Sequence, residues 1–361
     1  MRFIDEFRNK ELAQILISRI NSISRKEISL MEVCGGHTMA IYRFGIPYLL
    51  PKNIKLLSGP GCPVCVTGRS YIDKAIAYSR LDDVIITTFG DLIKVPGSTS
   101  SLNKERADGR DIRIVYSVLD SLEIAIKNPE KKVIFLGVGF ETTAPGSAAA
   151  ILNASKNNVN NFYLYSSHKV MPPAMEALID EGVKINGYIA PGHVSTITGT
   201  QIYNSLPEKY GLGCVITGFE PVDLLQSIYM LVKQVENNKP SVEIQYNRAV
   251  KPEGNIKAKE IMNEVFELKE DWWRGFGILN NSGLKIKEKY STFDPEKMIN
   301  VKVEELKEEK GCICGEILKG LKSPKDCKLF NTACNPENPI GACMVSNEGA
   351  CAAFYRYNRN D

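Results

Sequence analysis

Long apolar runs, long basic runs, internal repeats and low-complexity segments are all missing from this chain of 361 residues. No stretch approaches the roughly eighteen consecutive apolar residues of a membrane-spanning helix, and the opening MRFIDEFRNKELAQ mixes charges without an apolar signal core. The expectation is a soluble, cytoplasmic protein with no membrane association. The net charge is only +3, and without a basic tract this argues against a nucleic-acid partner. Hydrophobic residues at 43% and charged residues at 24% are ordinary globular values, and the length suffices for two or three domains, each with its own core.

Cysteine is what the chain has in plenty, with ten residues. A reducing cytoplasm makes these metal ligands or redox-active thiols before it makes them structural bridges. Six lie near the end, at Cys312, Cys314, Cys327, Cys334, Cys343 and Cys351, and three near the start, at Cys34, Cys62 and Cys65. The spacing predicts two separate sulfur sites. Cys214 has no motif around it and reads as a core thiol.

After an amphipathic helix over 11–20, short β-branched runs alternate with helical patterns. The runs are 28–33, 83–87, 112–115, 132–136, 162–165, 187–189 and 214–217. Nearly continuous apolar runs of this kind suit strands buried on both faces of a parallel sheet, each followed by a Gly or Pro turn and a helix. The expected fold is therefore α/β, with two doubly wound domains of parallel strands over 1–127 and 128–237. From Asn238 the pattern changes through an Asn-Lys-Pro break, a Pro252 turn and an Asp271-Trp-Trp segment. A smaller third domain over 238–361, carrying an iron–sulfur site, is the simplest account.

In the tail, Cys312, Cys327, Cys334 and Cys351 supply the four thiolates of a [4Fe–4S] cluster, which cysteines spread over loops can ligate. Structural zinc is the competing reading, but the paired C-x2-C knuckles usual for it are absent. Cys314 and Cys343 remain as a thiol pair beside the site or as inert buried thiols, and Cys312 and Cys314 are interchangeable at this level.

Near the start, Cys34-Gly35-Gly36-His37 follows directly on an apolar run, which puts Cys34 at a strand's carboxyl end, where open α/β sheets bind ligands. His37 is placed to act as a base or to polarise the thiol. Gly59-Pro60-Gly61-Cys62-Pro63-Val64-Cys65 holds a C-x-x-C in a stiff loop, a spacing suited to a disulfide or transient metal binding, with a zinc knuckle as the alternative. His193 follows another run in a Pro-Gly turn, while His168 reads as structural. Glu141, in GVGFETTAP, is a candidate acid, base or hydrogen-bond acceptor, or simply a carboxylate at a helix start. The segment lacks the third glycine and the later acidic residue of a dinucleotide fingerprint.

Seven segments in order, CGGHTMA, SGPGCPVC, GVGFETTAP, HKVMPPAM, APGHVS, TGFEPVDLL and the cysteine tail, make the chain resemble the HypD family of [NiFe]-hydrogenase maturation proteins over nearly its whole length. The resemblance implies a redox-active assembly scaffold rather than a turnover enzyme. On it the Fe(CN)2CO unit is built together with the small chaperone HypC, with cyanide from the carbamoyl-dehydratase partner HypE. It further implies Cys34 as a ligand of the transiently bound iron, Cys62 and Cys65 as a thiol pair, and His37, Glu141 and His193 as polar members of one cleft. Cys312, Cys327, Cys334 and Cys351 would hold the [4Fe–4S] cluster, beside a Cys314–Cys343 redox pair like that of ferredoxin:thioredoxin reductase. Met39 stands where many members have a second histidine. A stand-alone iron–sulfur thiol-disulfide reductase is the rival expectation, and a structural zinc module a further one.

Overall fold

Each apolar run read from the sequence becomes a strand of a parallel sheet. The computed structural model describes residues 5–306 and 311–357. In chain order the strands are β1 (Ile28–Glu32), β2 (Ile54–Ser58), β3 (Val84–Thr88), β4 (Ile112–Ile114), β5 (Lys132–Gly139), β6 (Phe162–His168), β7 (Gly187–Pro191), β8 (Gly213–Thr217), β9 (Val242–Ile244), β10 (Phe266–Trp273) and β11 (Gly277–Ile286). One sheet runs β2-β1-β7-β8-β9 and a second β4-β3-β5-β6, with every pairing in both parallel. In β3, β7 and β8 every residue is buried, as expected of strands covered on both faces.

The two sheets interleave in sequence. After β2 the chain leaves to build the whole second sheet over 84–168, then returns at β7 to pair beside β1. Strand pairing therefore cuts across the spans 1–127 and 128–237. In each sheet the winding direction reverses once, between β1 and β7 and between β3 and β5. A crevice opens at such a reversal because the two flanking loops turn to opposite faces.

Beyond residue 238 the main regular element is the antiparallel hairpin β10–β11, which packs beside β6 and is bridged to it through Lys169 and Gly283, the Val170 N–H donating to the Ser282 carbonyl at 3.0 Å. The tail has short helices, Cys314–Leu318, Ala342–Val345 and Ala350–Tyr357. They pack inward, Ala342–Val345 against the helix Pro63–Val66 and Ala350–Tyr357 against the helix Gly35–Arg43. One apolar cluster contains Met31, Val33, Cys62, Cys65, Phe140, Trp273, Cys314, Cys327, Cys334, Cys343 and Cys351. The two sulfur groups predicted as separate share that core. Among the described residues no helix is long and apolar enough to cross a membrane.

Candidate thiol site at the sheet switch point

Cys34 leaves β1 at the winding reversal of the first sheet and caps the helix Gly35–Arg43. The loop after β2 closes onto it, the Gly35 N–H donating to the Gly61 carbonyl at 3.0 Å. A Cβ on Gly61 would lie 2.1 Å from the Cys34 nitrogen, so only glycine lets the two loops meet. That contact delivers the next residues, Cys62 and Cys65, which are joined as a disulfide across the helix Pro63–Val66 with 5.2 Å between their Cα atoms.

Cys34 keeps part of its surface open, yet the packing around it, followed by the Glu348 carboxylate, pushes its thiol up to about 12. Glu32, at the end of β1, is buried and accepts from Thr38 Oγ1 at 2.5 Å and from the Cys34 N–H at 3.0 Å. Burial pushes that carboxyl up to about 7. Cys34 is thus a protonated thiol near neutral pH, and a bound cation would be needed to hold it as thiolate.

The two candidate histidines meet on one ring. Phe219 stacks on His37 at 4.6 Å and on His193 at 4.0 Å between ring centres. His37 Nε2 donates toward the carbonyls of Thr217 and Gly218 at 3.1 and 3.0 Å, while its buried Nδ1 has no partner among the described residues. Two carbonyl acceptors fix the proton on Nε2 and leave Nδ1 an acceptor. Burial lowers His37 to about 4 and lowers His193 as well. Met39 has turned into the helix behind Cys34.

Glu141 occupies the corresponding place in the second sheet, on the loop after β5. Its Oε1 accepts the Met171 N–H at 3.0 Å, Oε2 is buried without a partner among the described residues, and burial pushes the carboxyl up to about 7. His168 has hydroxyls on both ring nitrogens, Ser166 at 3.1 Å and Ser147 at 3.2 Å. It is a satisfied core histidine, as expected, and Cys214 is buried in β8.

In the tail, Cys312, Cys314, Cys327, Cys334 and Cys351 line one small, largely enclosed cavity. Among the described residues no three His, Cys, Asp or Glu side chains come close enough to hold a single metal ion. Soft thiolates converging on one cavity suit iron–sulfur or thiol chemistry, and a four-iron cube spreads its ligands over its corners, wider than a lone ion does. Cys314 hydrogen-bonds Cys312 on one side and Cys343 on the other. Cys65 Sγ lies 3.9 Å from the carbonyl of Ala342, the neighbour of Cys343. The Cys62–Cys65 disulfide therefore meets the tail at the residue before Cys343.

Sequence reasoning missed the groups that fasten this arrangement. Arg274, just past β10, donates from its backbone to Val66, from Nε to the Cys65 carbonyl and from Nη2 to the Thr67 carbonyl, at 2.9, 3.0 and 3.0 Å. Lys169, fully buried, holds the preceding segment through Asp271 at 2.6 Å and the Trp272 carbonyl at 2.8 Å. A charged Glu32 ending an apolar run, and an arginine after a Trp pair, were the available signals.

The profile of the family described as "HypD: Hydrogenase formation hypA family" matches residues 11–358. The chain is 46% identical to hydrogenase maturation factor HypD2 of Bradyrhizobium diazoefficiens and 45% identical to hydrogenase maturation factor HypD of Azotobacter vinelandii, each alignment covering 99% of this chain and 97% of the relative. Hydrogenase maturation factor HypD of Cupriavidus necator is 43% identical, with 99% and 98% covered.

Proposed function

This chain belongs to the HypD family of hydrogenase formation proteins, and from that membership we propose that it is a redox-active scaffold for assembling the Fe(CN)2CO unit of [NiFe]-hydrogenase. In this reading it works with the chaperone HypC and receives cyanide from HypE. The observation that carries the proposal is the placement of Cys34 at the switch-point crevice, its backbone against Gly61, the residue before Cys62, while Cys62 and Cys65 share one apolar core with the tail thiols.

Cys34 binds the iron cargo. The metal's positive charge displaces the thiol proton that burial otherwise retains, and the buried Glu32 carboxyl beside the Cys34 N–H lies nearby with a raised affinity for a proton. His37, neutral through burial, presents Nδ1 as a hydrogen-bond acceptor in the crevice. Phe219 lies against both His37 and His193 on one wall of the crevice. Glu141 holds the start of the helix Met171–Asp180 in the neighbouring crevice, its Oε2 free to serve a ligand.

Cys312, Cys327, Cys334 and Cys351 would hold a [4Fe–4S] cluster, which when bound supplies electrons one at a time at low potential. Cys314 and Cys343 stand between that set and the Cys62–Cys65 disulfide, which takes two electrons and two protons to become a dithiol. The same succession of sulfurs favours the second reading, a thiol-disulfide reductase with no iron cargo.

Anaerobic purification after co-expression with HypC and HypE separates the two. The expected result is infrared absorption from iron-bound cyanide and CO in the wild type, lost in Cys34→Ser while iron–sulfur absorption persists. Cluster absorption without cyanide and CO bands in the wild type would sink the scaffold and leave the reductase. A colourless, zinc-containing protein would sink both.

A further inference from the structure

The sulfur cavity of the tail has a wall that faces solvent. Phe330 lines that cavity with Cys327 and Cys334. Its backbone is fixed by the turn between the two cysteines, the Phe330 N–H donating to the Cys327 carbonyl at 3.0 Å and the Cys334 N–H to the Leu329 carbonyl at 2.8 Å. The Phe330 ring also meets Phe354 and Tyr355 edge-on, at 5.8 and 6.2 Å between ring centres. Tyr355 is exposed, so Phe330 reaches from the cavity to a residue that solvent touches.

Beside this wall the chain concentrates positive charge. Residues 319–328 hold four lysines, Lys319, Lys322, Lys325 and Lys328, against one carboxylate, Asp326, an excess equal to the net +3 of the whole chain. Lys319 is tied to Glu181 at 2.5 Å, and Asp326 is turned back on its own loop, accepting the Ser323 N–H at 2.7 Å. Lys322, Lys325 and Lys328 are exposed on both sides of Cys327, with Lys325 Nζ 5.8 Å from the centre of the Phe354 ring. Such charges act on an approaching partner through their summed field and can keep their local contacts while doing so. Leu321, exposed in the same segment, and Tyr355 add apolar surface.

We infer that this face docks a small, acidic one-electron carrier protein, which Lys322 and Lys328 steer onto the wall formed by Phe330 and Tyr355. The inference rests on the proposed cluster. Electron-transfer encounters use small interfaces in which complementary charge sets the rate of arrival, and a few lysines with two exposed apolar side chains are of that scale. Three exposed lysines fall short of the roughly four to eight cations that mark an anionic lipid surface, and a net charge of only +3 argues against nucleic acid. Each docking moves one electron from the carrier, which leaves oxidised, into the tail. Two dockings in succession, with two protons from solvent, open the Cys62–Cys65 disulfide to the dithiol.

The test mixes the anaerobically purified full-length protein, in stopped flow, with reduced plant-type [2Fe–2S] ferredoxin, an acidic carrier, or with reduced methyl viologen, a small cation that needs no docking. Binding of oxidised ferredoxin is measured separately by calorimetry, which requires no electron transfer. The ferredoxin rate should fall several-fold as salt rises from about 0.01 to about 0.15 M, and about tenfold when Lys322→Glu and Lys328→Glu are combined. The pair Lys322→Gln and Lys328→Gln should lie between, and the methyl viologen rate should be unchanged or raised in both. Reversing two charges elsewhere, by Lys233→Glu and Lys257→Glu on the helices Pro221–Asn237 and Ile256–Val265, should leave the ferredoxin rate near the wild-type value. A ferredoxin rate that the tail pair does not move, or an equal loss in the distant pair, would overturn the surface. Tighter binding of single-stranded RNA or of anionic lipid vesicles than of ferredoxin would overturn the choice of occupant. Ferredoxin binding that the tail pair weakens, in a protein that accepts electrons from neither donor, would support the surface and sink the proposed cluster instead; neither binding nor transfer would sink both.

Discussion

The crevice around Cys34 and the cysteine tail are organised by opposite means. In the crevice, parallel strands in fixed register set the positions of the loops, and the side chains arrive with them: Cys34 from β1, His193 from β7, Phe219 from β8. In the tail, helices of four to eight residues are separated by turns and bends, and the side chains that converge are the cysteines themselves. A site carried by a sheet is formed before its ligand arrives. A site carried by loops whose shared feature is sulfur depends on what the sulfur binds. The difference teaches where each kind of damage should appear, in chemistry for the crevice and in order for the tail.

The largest expected effect breaks the tail. Cys327→Ser with Cys334→Ser should lower iron from about four per chain to under one and make residues 311–357 the first to be cut in limited proteolysis. Cys34→Ser should leave both readings at the wild-type level while abolishing maturation. If the double variant kept its iron and its protease resistance, the tail would be as preformed as the crevice and the contrast would fail.

A middle-sized effect comes from the second crevice. Burial raises Glu141 from 4.5 to about 7, so between those values the unfolded chain has released a proton that the folded chain still holds. The carboxyl's contribution is therefore fully present below pH 4.5 and is lost as pH rises to about 7, an amount of ~3 kcal/mol. Glu141→Gln keeps an acceptor for the Met171 N–H and has no proton to lose. Denaturant titrations at pH 4.5 and 7.5 should show that loss removed in the variant, with the similar raised Glu32 and the oppositely acting His37 left in place. An unchanged difference between the two pH values would mean that Glu141 is solvated in the folded protein.

The sheets were more legible in the sequence than the tail, and for the same reason. All seven apolar runs read as strands are strands, because a chain segment buried on both faces must be apolar throughout. The strands missed are β2, an edge strand whose Lys55 interrupts the run, the three-residue β9, and the hairpin, where FELKEDWW carries charges on its exposed positions. The return of β7 to β1 was not legible, since a run carries no label for its partner. Cys34, His37 and His193 could be placed at strand ends, but their meeting on Phe219 follows only from the strand order β1-β7-β8. The groups that tie the Cys62–Cys65 loop to the hairpin, Arg274 and Lys169, act through backbone carbonyls and a single carboxylate, partners that no spacing pattern encodes.

The smallest effect sharpens the comparison from inside the crevice. Phe219 separates His37 from His193, and its ring helps exclude the water that would otherwise stabilise an imidazolium. Phe219→Leu keeps an apolar side chain but removes both stacks, which should cost about 1 kcal/mol in denaturant unfolding. With water admitted, His37 should titrate above its present value of about 4, moving toward the ordinary 6.5, as followed by proton NMR of its ring. Because the loops are set by β1, β7 and β8 rather than by the ring, the disulfide and the cysteine tail should be unaffected. A variant in which the His37 titration stays put but the tail becomes protease-sensitive would show that the crevice is held together by its side chains after all, and would place it in the same class as the tail.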